Sequence, residues 1–194
     1  MDSSDAVHYN ARTVALKHRD IERERFGADI VTHLDHLYRV AYYLVKSDSE
    51  AQDCVQETCA RALSSRAQFT PGTNMKAWLT KILYNFFYDF YTRNKRTIPA
   101  EDLADEQRRD FWETLPSPSL GPENDVLSRE LGIKVHDALR KIPEEFRAPV
   151  VLVDMGDFSY AETAEILSCP IGTVRSRLSR GRKLLHNLLV GYVR

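Results

Sequence analysis

Between Ile98 and Asp125 the chain carries Glu101, Asp102, Asp105, Glu106, Asp110, Glu113, Glu123 and Asp125 against Arg108 and Arg109, with Pro116, Pro118 and Pro122 close together. Like charges repel and proline removes backbone donors, so this stretch reads as an acidic, proline-broken, flexible linker. One hydrophobic core cannot run through it. The 194 residues therefore divide into two modules, each long enough to bury a core of its own. On either side, apolar residues recur at the helical i, i+3, i+4 spacing, and alternating β-branched runs are scarce. The expected fold is all-α, two small helical domains joined by the linker. The expected boundaries are an N-terminal extension over 1–25, a first domain over 26–97, the linker over 98–125 and a second domain over 126–194.

The second domain ends in GTVRSRLSRGRKLL, five cations and no acid between Gly172 and Leu185, in a chain whose formal net charge is −1. On a helical wheel Val174, Leu178, Gly181, Leu185 and Leu188 form one buried stripe. Arg175, Ser179 and Arg182 line up opposite, with Ser176 and Lys183 beside them and Arg180 further round. Arg177 points back toward the stripe, a place for packing or an ion pair. Ser168, Cys169 and Pro170 break the chain just before this helix. Upstream, SYAETAEIL reads as a short helix capped by Ser159 with Glu162 as its capping-box partner, and with Ala161, Ala164 and Leu167 facing inward. A short helix, a tight turn and a basic helix follow the helix-turn-helix order, in which the second helix enters the DNA major groove.

Three helices are expected in the first domain. The first spans Ala28 to Lys46 through Leu34, Leu37, Tyr38, Ala41, Leu44 and Val45. The second, capped near Ser47, buries Ala51, Cys54, Val55, Thr58 and Ala62 and turns Asp53, Gln56 and Glu57 outward in a row. Pro71 and Gly72 make a turn, and Asn74 caps a third helix from Met75 to about Arg96. Its inward face is Met75, Leu79, Ile82, Leu83, Phe86 and Phe90, yet Tyr84, Phe87, Tyr88 and Tyr91 form a second aromatic row. That row is either buried packing or, with nearby Lys81, Arg93, Lys95 and Arg96, a platform on which unpaired bases stack. Trp78 lies at the edge between the faces.

The composition, 43% apolar and 28% charged, is that of an ordinary soluble protein. No apolar run approaches the roughly 20 residues of a membrane span, and the polar N-terminus does not resemble a signal peptide. A cytoplasmic, nucleoid-associated location is expected, without membrane insertion. Cys54, Cys59 and Cys169 show neither disulfide nor zinc spacing, so no metal is expected. No phosphate-cradling glycine loop is present and no cofactor is expected.

Taken together, these segments resemble the extracytoplasmic-function sigma factors of bacterial RNA polymerase, over about Asp29 to Leu189. DCVQET is similar to the family's polymerase-clamp-binding helix, FTPGTNMKAWLTKILYNFFYDFYTRNKR to its promoter-melting and −10-reading segment, and SYAETAEILSCPIGTVRSRLSRGRKLL to its −35-reading helix-turn-helix. The resemblance implies that Asp53, Gln56 and Glu57 dock on core polymerase, through the largest-subunit clamp, with the flap as a second contact. It implies that Asn74, Trp78, Asn85, Tyr88, Asp89 and Arg93 serve −10 capture and melting. By resemblance, with the wheel adding Lys183, the residues Arg175, Ser176, Ser179, Arg180 and Arg182 read the −35 duplex. Promoter DNA, core polymerase and an anti-sigma factor are the implied partners. Two positions depart from the pattern: Thr163 stands where the family usually has isoleucine, and Val153 where some members carry a basic residue.

The implied function is a non-enzymatic subunit that directs promoter-specific initiation. Confining the cations to two faces keeps free protein weak on non-specific DNA, which a strongly cationic chain would bind through counterion release. Two other classes compete with this reading. A helix-turn-helix regulator acting independently of polymerase would bind promoters unaided. A DNA-processing enzyme would need a nucleophilic serine or tyrosine among clustered arginines.

Overall fold

The computed structural model describes residues 21–45, 47–94 and 125–190, with side chains over 21–45, 47–90 and 132–190. The linker expected over 98–125 lies outside the described residues except for Asp125, as does the extension up to residue 20. Among the described residues every regular element is helical. Helix α1 covers 21–31, so it runs through the boundary expected at Phe26 and buries Phe26 and Ile30.

The single helix expected over Ala28 to Lys46 is instead two. Thr32 Oγ1 donates to the Asp29 carbonyl at 2.7 Å and the His33 N–H turns back to Ile30. This tightened turn ends α1, and α2 follows over Leu34–Leu44 with Leu37, Val40, Ala41 and Leu44 buried. A serine or threonine side chain that bonds nearby backbone offers it an alternative to the helical ladder.

Helix α3 (Asp48–Ser64) starts where expected, with the Ser47 hydroxyl accepting from the Glu50 N–H. Its buried residues are Ala51, Gln52, Cys54, Val55, Thr58 and Ala62, the expected stripe with Gln52 added. A short 3-10 turn, Arg66–Gln68, leads to the Pro71–Gly72 turn, where φ of +87° at Gly72 is the left-handed geometry that glycine supplies without steric cost. Helix α4 (Met75–Asn94) follows, and the Ala77 N–H donates to Asn74 Oδ1 at 3.1 Å, confirming Asn74 as its cap.

The inward face of α4 differs from expectation. Leu79, Thr80, Leu83 and Phe87 are buried, whereas Phe90 is 47% exposed. The reason is that α4 has partners on two sides: α2 and α3 of its own module, and α7 of the second. Phe87, placed on the outer row by the wheel, lies one and two turns beyond Leu83 and Leu79 on the same buried stripe and is core. Phe86 and Phe90 stack on each other with centroids 6.0 Å apart, and the Arg61 guanidinium lies 4.9 Å above Phe86.

The second module comprises α5 (Asp125–Arg140), α6 (Glu144–Val150), a π turn over Val151–Met155, α7 (Tyr160–Ile166) and α8 (Ile171–Val190). Pro149 inside α6 lacks the N–H a regular helix needs, and the wider π turn follows directly. The capping box of α7 forms in full. Its buried residues, however, are Thr163 and Ile166, while Ala161 is exposed and Ala164 and Leu167 are half-buried. The helix is rotated so that the branched side chains, which offer more apolar area than alanine, meet the core. The Thr163 hydroxyl has no hydrogen-bond partner there. Helix α8 buries Val174, Leu178 and Gly181. A methyl at Gly181 would sit 2.4 Å from the Phe146 carbonyl oxygen and 2.6 Å from Val150 Cγ2, so α8 crosses α6 at backbone distance.

Candidate functional site

Helix α8 carries the basic face. Val174 and Leu178 pin its inner side, which leaves Arg175, Ser176, Ser179, Arg180, Arg182 and Lys183 exposed. The Ser176 hydroxyl donates to the Thr173 carbonyl at 3.0 Å. Arg175 lies 5.9 Å above the Tyr160 ring, a cation–π placement that orients it from the first helix of the motif. Arg177 pairs with Glu145 at 3.8 Å, the ion pair of the two roles its place on the wheel suggested. Arg182 differs from its neighbours: Nε donates to Asp154 Oδ2 at 3.0 Å and Nη2 to Asp154 Oδ1 at 2.6 Å.

The outward row of α3 is present as expected, with Asp53 and Gln56 exposed and Glu57 half-buried. Glu57 Oε1 accepts from Arg61 Nε at 2.7 Å one turn later. The row therefore presents the carboxylates of Asp53 and Glu57 beside the Gln56 amide, with Glu57 bridged to a cation on the next turn.

On α4 the candidate side chains are dispersed. Asn85, Tyr88 and Asp89 are exposed at i, i+3, i+4 spacing, and Tyr88 lies 6.1 Å from Tyr84. Trp78 packs into an aromatic cluster with Phe69 at 5.2 Å and Phe26 at 6.0 Å. The side chains of Arg93 and Tyr91 lie outside the described residues.

Sequence reasoning did not find the seam between the modules. Asn74 Nδ2 donates to Glu162 Oε1 at 2.7 Å, tying the cap of α4 to the capping box of α7. Tyr84 OH donates to Glu144 Oε1 at 2.9 Å, and burial beside this carboxylate pushes the phenol well above its ordinary range. Lys76 lies 4.8 Å above the Phe158 ring, and His36 meets the same ring edge-on at 5.3 Å. His136 stacks on Tyr42 at 4.2 Å. Arg39 approaches Asp157 at 3.9 Å, and Asp157 holds a left-handed φ of 56° that aspartate tolerates better than most residues. One of the aromatics of residues 84–91 is accounted for here: Tyr84 faces the second module through Glu144.

Among the described residues no cluster of three or more His, Cys, Asp or Glu has the geometry to hold a metal ion. No helix among them is long and apolar enough to cross a membrane. Cys54 is buried, and burial first, then Glu50 and Asp53, pushes its thiol up to about 12. Such a thiol is a packing group.

Residues 30–97 match the Sigma-70 region 2 family and residues 132–185 match Sigma-70, region 4. The ECF RNA polymerase sigma factor SigE of Mycolicibacterium smegmatis is 38% identical over 157 residues, 81% of this chain, which spans 58% of that longer relative. EcfG of Rhodopseudomonas palustris, also an ECF RNA polymerase sigma factor, is 34% identical over 161 residues, 83% of each chain. Among solved structures, the sigma factor RpoE of Bartonella quintana, in complex with the anti-sigma factor NepR, superposes with a TM-score of 0.66 at 28% identity. That match covers 86% of this chain and 97% of RpoE. With both modules matched in order on either side of the acidic segment, the chain belongs to the ECF sigma factors of RNA polymerase.

Proposed function

We propose that this sigma factor divides promoter recognition between its modules, with α8 reading −35 duplex, α4 and its cap capturing unpaired −10 bases, and α3 docking on core polymerase. The observation that carries this reading is the exposed basic face of α8, set on a capped α7 and free of any acid of its own. In a helix-turn-helix such a face enters the major groove, where arginine pairs with guanine edges and hydroxyls or lysines hold phosphates. Arg175, Ser176, Ser179, Arg180 and Lys183 supply those groups at the solvent side, and Arg182 stands in the same row. On α3, Asp53, Gln56 and Glu57 offer carboxylates and an amide to a basic partner helix, the arrangement that favours fast, oriented docking. That partner is the clamp of the polymerase largest subunit, with the flap as the contact of the second module.

The role of the first module is binding, not chemistry. Unstacking a base costs a few kcal/mol, and each base stacked on an aromatic or seated in a pocket returns about 1 to 3 kcal/mol. Melting then follows from capture, and no nucleotide needs to be hydrolysed. Asn74, Asn85, Tyr88, Asp89 and Arg93 are the groups for this task, with Trp78 holding the turn that carries Asn74 against Phe69. Asn74 is engaged by Glu162 in the packed chain, so the modules must part before that asparagine receives a base. Polymerase, by holding the modules at a set separation, drives the parting. An anti-sigma factor, like the one bound to the related RpoE, would act in the opposite sense by holding the packed form. Work at promoters places the chain in the cytoplasm, with the nucleoid.

The test is association with purified core polymerase. Asp53→Ala combined with Gln56→Ala should weaken it at least tenfold and leave the DNA-binding face of α8 untouched. Arg175→Ala combined with Arg180→Ala should do the reverse. Equal polymerase affinity in the wild type and both double variants would dispose of the α3 assignment. A promoter-binding regulator independent of polymerase would instead show strong specific binding that core polymerase does not change.

A further inference from the structure

Arg182 sits in the basic row of α8, yet its guanidinium makes a two-point bond with a carboxylate. Nε and Nη2 reach the two oxygens of Asp154 at 3.0 and 2.6 Å. This fork-to-fork arrangement fixes orientation as well as distance. Asp154 is presented by the π turn that follows Pro149, and its bonds hold the Arg182 guanidinium still more firmly in the charged form. Arg182 therefore ties the recognition helix to the π turn.

Its neighbour in sequence makes a second tie at the same height. Gly181 lets α8 touch the α6 backbone at Phe146, where even a methyl would collide. Residues 181 and 182 thus fix the tilt and the rotation of α8 at one point. Arg175 lies seven residues nearer the N-terminus, about 10 Å along the axis at 1.5 Å per residue. A tilt of about 10° at the tie would move it by nearly 2 Å, enough to break a two-point bond to a base edge. In helix-turn-helix proteins the base-reading residues lie at the N-terminal end of the second helix. Arg182 is well past that end.

We propose that Asp154 is a positioning residue for −35 readout, holding Arg182 as the pin that sets the recognition helix, and that Arg182 is not itself a DNA-reading group. The proposal rests on α8 being the −35 reader, and the experiment separates the two. The probe is the duplex that wild-type holoenzyme selects from a random-sequence pool, compared with a scrambled duplex of the same composition. Failure of the wild type to select any −35 sequence would remove the underlying reading. If selection succeeds, full-length Asp154→Ala, Arg182→Ala and the double variant are measured on both duplexes across a salt series.

A positioning pair predicts that each single substitution lowers the ratio of selected to scrambled affinity about tenfold, and that the double is no worse than either. It also predicts that scrambled-duplex affinity and the salt dependence stay as in the wild type. If Arg182 is a phosphate contact, Arg182→Ala weakens both duplexes alike and lowers the salt slope by about one. In that case Asp154→Ala strengthens binding, because it frees a cation and removes an acid. Either of those results overturns the proposal. Asp154→Asn keeps the side-chain shape while removing the charge, and serves as the second variant if the alanine form unfolds. It is expected to fall between wild type and Arg182→Ala in selectivity, and wild-type selectivity in it would also overturn the proposal.

Discussion

Helices α4 and α8 are each 20 residues long, each belongs to a DNA-recognition module, and they present their working groups in opposite ways. Helix α8 buries one narrow stripe and leaves its cations and hydroxyls facing water. Helix α4 is packed on two sides, and the groups around its start are occupied inside the chain: Asn74 by Glu162, Trp78 by Phe26 and Phe69, Tyr84 by Glu144. The difference follows from what each must hold. A duplex edge is met by a ready-made polar surface, whereas an unpaired base needs stacking area and a polar pocket that would otherwise lie exposed. In the packed chain the second module covers Asn74 and Tyr84, while Trp78 is packed within the first.

The contrast is broken most severely at Gly181. Gly181→Val should destabilise the second module by about 3 kcal/mol, the upper range for overpacking, because the side chain would collide with the Phe146 carbonyl and Val150. Thermal unfolding followed by circular dichroism checks this, and the first module should retain its own transition. A smaller effect is expected at the ready-made surface. Arg175→Ala and Arg180→Ala should each cost about 1 to 3 kcal/mol on selected duplex if they make base contacts, read by gel shift, with the fold unchanged.

Acid should sharpen the comparison from the side of the seam. Burial holds His36 at about 4, with Lys76, Arg39 and His33 adding to the effect and Asp157 opposing it. His136 is lowered as well, by burial first and then Arg140, against the opposing bonds to Val45 and Tyr42 and the charge of Asp137. Both imidazoles take up a proton less readily in the packed chain than in the opened one. The stability they contribute is therefore complete above about pH 6.5 and is lost as pH falls from there toward 4. Thermal midpoints measured across that range should fall, and His36→Gln should flatten the profile.

The smallest effect is expected at Thr163, whose buried hydroxyl lacks a partner. Thr163→Val removes an unsatisfied group at nearly constant shape and should stabilise by about 1 kcal/mol. Unfolding in urea reads this as a shift in midpoint without a change in slope.

The parts of the fold legible in the sequence are those with one buried face. In α3 and α8 the periodic stripe has a single partner direction, so Ala51, Cys54, Val55, Thr58 and Ala62, and likewise Val174, Leu178 and Gly181, are found by spacing alone. In α4 the same reasoning fails to rank two apolar faces, because nothing local says which one meets another module. Helix α7, with only seven residues, gives a stripe too short to fix its rotation. The break at Thr32 carries no glycine or proline, and its cause is a side-chain bond that periodicity does not register. The Asp154–Arg182 pair and the Asn74–Glu162 bond join residues 28 and 88 positions apart, a separation at which local pattern is silent. The candidate surface on α8 was thus readable almost in full, and the shielding of the α4 cap was not.

Run-off transcription by purified core polymerase, with and without this chain, over a library of genomic fragments tests the division of labour most directly. RNA should start at discrete sites that share two short sequence blocks at a constant spacing, with the upstream block losing its influence in the Arg175→Ala, Arg180→Ala double variant. Start sites indistinguishable from those of core polymerase alone, or sites that share only one block, would contradict the account.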